Sequence, residues 1–186
     1  DIINNVKING DSALLELTER FDKVKRESIK VSREEIDKAY DSVDPSLIDA
    51  LKTSKKNIEA FHIMQRPSDM WLKEVCPGLT LGVKTTPLES VGAYVPGGRA
   101  SYPSTVLMCT IPAKVAGVRK VVCCTPPPIN PLTLVAADLA GVDEIYAVGG
   151  AQAIAAMALG TESIAQVQKI VGPGNVFVTT AKFMLK

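Results

Sequence analysis

The sequence predicts an α/β protein, with N-terminal helices followed by a parallel β-sheet covered on both faces. Three observations carry that reading. Residues 1–75 hold 28 charged side chains and residues 76–186 only 13, so the first stretch reads as solvated helices and the second as a buried sheet with apolar helices over it. From residue 88 onward, short β-rich runs alternate with helical runs, the pattern of β–α units. The turns leading from strand to helix are rich in glycine and proline.

The N-terminal elements each have a start signal. Asp11 can cap a helix carrying Leu14, Leu15, Leu17 and Phe21. Ser32 with Glu35 forms a capping box ahead of Ile36, Ala39 and Tyr40. Asp44-Pro45 places an N-cap before a proline at the first helical position. The helix that follows puts Leu47, Leu51, Ile58 and Phe61 near one face and stops before Pro67. Trp71–Val75 and Leu79–Thr86 flank the turn pair Pro77-Gly78 and read as a hairpin or two edge strands.

Four β–α units come next. Strands are expected over Ser90–Val95, Lys120–Cys124, Glu144–Val148 and Lys169–Val171. Helices are expected over Pro103–Ala116, Pro131–Ala140, Ala151–Leu159 and Asn175–Leu185. Short connections of this kind imply right-handed crossovers and parallel strands. The division expected is a helical region over 1–66, a β segment over 67–93 and a ligand-binding domain over 94–186.

Composition excludes several function classes. The chain carries 21 Lys+Arg and 20 Asp+Glu for a net charge of +1, so neither a nucleic-acid partner nor an anionic membrane is expected. No apolar run reaches membrane-spanning length and no secretory leader is read, so a cytoplasmic location is expected. The chain opens on Asp1 rather than Met, which suggests a lost native start. Cys76, Cys109, Cys123 and Cys124 show no framework spacing and read as free thiols. Of these, Cys123 and Cys124 end a strand near the expected crevice; small buried packing is the plainer reading of both. The single histidine, His62, cannot supply both a base and a His-rich zinc site. It reads as a structural or surface residue.

In open α/β sheets, ligands sit beyond the carboxyl ends of the strands. Four turns mark that edge: Tyr94-Val95-Pro96-Gly97-Gly98-Arg99, Thr125-Pro126-Pro127-Pro128, Gly149-Gly150-Ala151-Gln152 and Gly172-Pro173-Gly174-Asn175. Glycine lets a ligand approach the backbone, and helix N-termini offer unpaired N–H groups to an anion. A nucleotide or dinucleotide suits such a crevice. Neither the G-x-G-x-x-G fingerprint nor the Walker pattern is present. Tyr94 offers a ring and a hydroxyl, Gln152 and Asn175 offer amides, and Arg99 offers a charge for a phosphate. The plainer alternatives are packing for Tyr94, helix capping for Gln152 and Asn175, and solvent exposure for Arg99.

These turns also carry a resemblance. Tyr-Val-Pro-Gly-Gly at 94–98, Pro-Ser-Thr-Val-Leu-Met at 103–108 and Pro-Ala-Lys-Val-Ala-Gly at 112–117 resemble histidinol dehydrogenase. So do Val-Gly-Gly-Ala-Gln-Ala-Ile-Ala-Ala at 148–156 and Lys-Ile-Val-Gly-Pro-Gly-Asn-Val-Phe-Val at 169–178. The resemblance implies an incomplete Rossmann-like domain in an arrangement like that of aldehyde dehydrogenases. It implies a homodimeric enzyme of histidine biosynthesis that oxidises L-histidinol to L-histidine through an aldehyde-level intermediate, using NAD twice and a bound zinc ion.

The family's NAD contacts match Tyr94, Gln152 and Asn175, with Pro96, Gly97, Gly98, Gly149, Gly150, Gly172, Pro173 and Gly174 as lining turns. Its zinc ligands and catalytic Glu-His pair match no residue here. The resemblance therefore implies an N-terminal portion that places NAD and is inactive alone. Two other classes fit the same residues: a stand-alone nucleotide-binding module, and an interaction protein using the uncharged stretch 100–113 as its interface.

Overall fold

Strand order within the main sheet determines where the candidate site lies. The computed structural model describes residues 1–97 and 101–186; Gly98 and Arg99, two of the residues singled out above, lie outside them. Four parallel strands run in the order β5-β4-β3-β6, where β3 is Ser90–Tyr94, β4 Lys120–Thr125, β5 Glu144–Ala147 and β6 Lys169–Val171. The chain steps outward from β3 to β5 and then returns to the far side of β3. That reversal between β3 and β6 is a topological switch point, where a crevice opens beyond the strand ends.

The helices of the repeats are α4 (Pro103–Val115), α5 (Pro131–Leu139), α6 (Gly150–Leu159) and α7 (Val176–Met184), each within two residues of expectation. They cover opposite faces of the sheet. Val106, Leu107, Ile111 and Val135 belong to one buried cluster, and Ile154, Met157 and Val178 to another. Val121, Cys123 and Cys124 in the middle strand β4 and Tyr146 in β5 are fully buried. Each large apolar side chain removed from water in this way contributes ~1.5–3 kcal/mol. The edge strand β6 is only partly covered. Most of the 100–113 stretch is α4, whose Val106, Leu107 and Ile111 face the core while Met108 is exposed.

The N-terminal helices are the outer shell of this domain. α1 (Ile2–Asp22) packs on α6, α2 (Arg33–Ser42) on α5, and α3 (Pro45–Gln65) on α4 and α5. The capping box forms as read: the Ser32 hydroxyl accepts from the Glu35 N–H and the Glu35 carboxylate from the Ser32 N–H. Asp44 caps α3 through the Ser46 N–H, with Pro45 next in line. Arg33 and Tyr40 both reach Asp138 and tie α2 to α5.

Two expectations need correction, and a third feature was not expected at all. Helix α1 begins well before Asp11, broken at Gly10 (φ 51°, ψ −130°). Asp11 is drawn away to the loop before β6, where its carboxylate accepts from the Ser163 N–H and hydroxyl and its own N–H donates to Glu162. On α3, Leu51 is buried and Ile58 half-buried, but Leu47 and Phe61 are exposed. Third, Ile29–Val31 pairs antiparallel with the outer edge of β5, with Ala147 N–H to the Ile29 carbonyl at 2.7 Å and Val31 N–H to the Ile145 carbonyl at 2.9 Å. The segment had no predicted structure, and it protects an edge that is otherwise open.

The β segment is an antiparallel hairpin, β1 (Met70–Cys76) with β2 (Leu79–Lys84), bulged between Glu74 and Cys76. Every residue in both strands is exposed. The expected division at 93/94 runs through β3, whose Ser90–Ala93 pair with β4 and β6 in the main sheet.

Candidate functional site

All four strand-to-helix turns meet at one crevice. A cavity of about 570 Å³ beyond the carboxyl ends of the strands is lined by Tyr94, Pro96 and Gly97 after β3, by Pro126–Pro128 after β4, by Gly150, Ala151 and Gln152 after β5, and by Asn175 and Phe177 after β6. Of the residues expected here, Gly149, Gly172, Pro173 and Gly174 sit in the same turns without lining the cavity.

Close approach of backbones builds the floor. A Cβ on Gly97 would lie 2.7 Å from the Pro126 side chain, and one on Gly149 would lie 2.4 Å from it. Those turns therefore close on Pro126 only without side chains. Gly172 has φ +110°, and a Cβ there would sit 2.0 Å from the Tyr94 carbonyl oxygen. No L side chain fits, so this glycine sets how closely the turn after β6 approaches the end of β3. Gly150 has φ +64° and opens α6, with the Gln152 amide folded over it at 2.7 Å from an ideal Cβ.

The polar groups are few and directed. Tyr94 is 4% exposed, and its hydroxyl accepts the Gly150 N–H at 3.1 Å. The packing reading holds for the ring, which is core, and the phenolic O–H retains its proton for donation. Burial pushes the Tyr94 hydroxyl above its usual pKa, the Gly150 N–H opposes this, and the neighbouring Asp22 charge adds to it. The residue is therefore a neutral donor at physiological pH. Gln152 is 3% exposed yet lines the cavity. Asn175 caps α7, its Oδ1 accepting the Val178 N–H at 3.1 Å. The cap uses the amide oxygen and not the NH2 donors.

Helix α1 supplies a wall that sequence reasoning missed: Ile2, Phe21 and Asp22. Phe21 reads from periodicity as a core position, but it is half exposed at the crevice mouth. Asp22 ends α1, and its Oδ2 is buried without a hydrogen-bond partner among the described residues. Burial pushes its carboxyl above the usual range. One local signal was available, since a carboxylate in the last turn of a helix opposes the macrodipole.

The cradle suits a nucleotide. Aromatic and proline walls, a few directed amides and hydroxyls, and a helix N-terminus for a phosphate are the common parts of such sites. Zinc does not fit the chain's own side chains: among the described residues, no three His, Cys, Asp or Glu side chains come together as a metal site. Cys123 and Cys124 are fully buried. Burial pushes the Cys123 thiol up to about 12 and the Cys124 thiol well above its usual value, so neither is a thiolate nucleophile at neutral pH. His62 is half-buried on α3, edge-on to Phe61. It lines a separate cavity of about 550 Å³ between α3, α4 and β6, with Cys109, Lys169 and Val171. None of the glycine-turn residues lines that cavity.

No helix of the described residues is long and apolar enough to cross a membrane. The family model described as histidinol dehydrogenase matches residues 1–186. A histidinol dehydrogenase from Methanosarcina barkeri is 54% identical over 189 residues, covering 100% of this chain and 44% of that protein. One from Methanothermobacter thermautotrophicus is 57% identical, covering 98% and 43% respectively. The crystal structure of histidinol dehydrogenase from Elizabethkingia anophelis superposes with a TM-score of 0.96 at 41% identity, covering 99% of this chain and 43% of that one. The chain thus spans less than half the length of these relatives. With the family model matched along its whole length and the same fold in a solved relative, this chain belongs to the histidinol dehydrogenase family.

Proposed function

We propose that this chain is the N-terminal, NAD-placing portion of an enzyme that oxidises L-histidinol to L-histidine. The observation that carries the reading is the convergence of four strand-to-helix turns on one crevice at the sheet's switch point. NAD, when bound, accepts hydride from the substrate. The chain's own residues hold and orient it. The N-terminus of α6 and the Tyr94 O–H face a phosphate or ribose oxygen. Gln152 and Asn175 direct amide donors, and Phe21, Phe177 and the prolines exclude water from the bases.

In this proposal zinc, the general base and the substrate contacts belong to the rest of such an enzyme; among the described residues no three His, Cys, Asp or Glu side chains come together for the metal. No step through zinc follows from this chain. A homodimeric, cytoplasmic parent protein completes the proposal.

The test is a turnover assay on the purified 186-residue chain with L-histidinol and NAD. No NADH forms if the chain places the cofactor and nothing more. Histidinol-dependent NADH from pure chain would show that catalysis resides here and would overturn the division of labour. A stand-alone binding module is the second reading, favoured by a crevice lined from all four strand-to-helix turns; native protein of this length that binds NAD would select it.

A further inference from the structure

We propose that Asp22 is a specificity-determining residue of the crevice, receiving the hydroxyl edge of a nucleotide ribose and rejecting a phosphorylated one. This rests on the reading that the crevice takes NAD. Three observations single the residue out. Asp22 lines the same cavity as Tyr94, Gln152 and Asn175. Its Oδ2 is shut off from solvent and has no hydrogen-bond partner among the described residues. It closes α1, where the unsatisfied carbonyls at the helix end disfavour a negative charge. A carboxylate held against both burial and the helix dipole costs stability, and native structures rarely leave such a group unmatched without a functional reason.

The chemistry of the surrounding groups narrows what it can hold. Tyr94 O–H, the amide NH2 groups of Gln152 and Asn175 and the N–H groups at the start of α6 are donors, suited to phosphate and carbonyl oxygens. Asp22, when ionised, is an acceptor only. It needs a ligand group that donates. A cation is a poor candidate, because no second and third carboxylate, His or Cys stand beside it among the described residues. The donors a dinucleotide offers are its ribose hydroxyls, the adenine amino group and the nicotinamide carboxamide, and of these only a ribose presents two adjacent O–H groups. A vicinal diol can place two O–H donors on one carboxylate in charge-assisted hydrogen bonds. A 2′-phosphate in that position would set like charges against each other in a poorly hydrated space.

The experiment measures binding of NAD, NADP and deamino-NAD (which lacks the adenine amino group) to the purified protein carrying this chain and to its Asp22→Asn and Asp22→Ala variants. The wild type is expected to favour NAD over NADP by about a hundredfold or more. In D22N, NAD is expected to weaken about tenfold and the NAD/NADP ratio to narrow at least as much. The thermal midpoint at neutral pH should hold or rise, because a carboxylate with one solvent-shielded, unpartnered oxygen at a helix C-terminus has been removed.

Unchanged NAD affinity with an unchanged NAD/NADP ratio overturns the assignment. So does a lower midpoint in both variants with nucleotide preference intact, which would make Asp22 a structural residue. A change confined to the NAD/deamino-NAD ratio moves the contact to the adenine and overturns the ribose assignment. Failure of the wild type to bind any of the three overturns the NAD reading itself, a result distinct from the other three.

Discussion

Glu144 shows how a single side chain can report on the fold through pH. Burial alone would raise its carboxyl, but hydrogen bonds from Lys120, Lys30 and Tyr146 outweigh that and hold it down at about 2. A carboxyl whose pKa falls on folding stabilises the native state above its unfolded value and loses that contribution as pH falls through the folded one. The window here runs from the ordinary carboxylate value of 4.5 down to about 2. Solvent screening of the two lysines limits the effect to about 1 kcal/mol. Urea unfolding of Glu144→Gln beside the wild type should show the two differing at pH 7 and converging towards pH 2; an unchanged difference across that range would contradict the assignment. Tyr94, Gln152 and Asn175 were legible because each sits in a marked turn after a strand. Asp22 and Phe21 were not, since they reach the crevice through the tertiary packing of α1 on α6, which no local pattern encodes.

At the scale of elements, local chemistry predicted what local chemistry controls. The Ser32–Glu35 capping box and the Asp44-Pro45 start formed where the sequence put them. Ser32→Ala should therefore cost about 1 kcal/mol, because it leaves an N–H at the start of α2 without its partner. Thermal unfolding measures this, and an unchanged midpoint would mean water replaces the cap without loss. The start of α1 was misplaced because Asp11, a good cap by type, is recruited by Ser163 in a loop distant in sequence. Ile29–Val31 escaped notice for a related reason. Three residues carry no period, and their strand geometry is imposed by the open edge of β5.

At the scale of the whole molecule, the charge break near residue 75 anticipated the buried sheet but not its incomplete cover. The hairpin β1–β2 is exposed on both faces, with Trp71, Leu72 and Val83 in water, and Phe183 at the end of α7 is 78% exposed. Apolar surface of that extent promotes association. Sedimentation of the 186-residue chain should show concentration-dependent self-association, and Trp71→Ser with Leu72→Ser should reduce it; a monodisperse monomer at every concentration would contradict this. The proposed binding of NAD in the crevice across the four strand-to-helix turns is open to amide NMR of the labelled chain titrated with NAD. Saturable shifts are expected at Tyr94, Gly97, Gly150, Gln152 and Asn175. A well-dispersed spectrum that does not respond, or that responds only around His62 and Cys109, would contradict it.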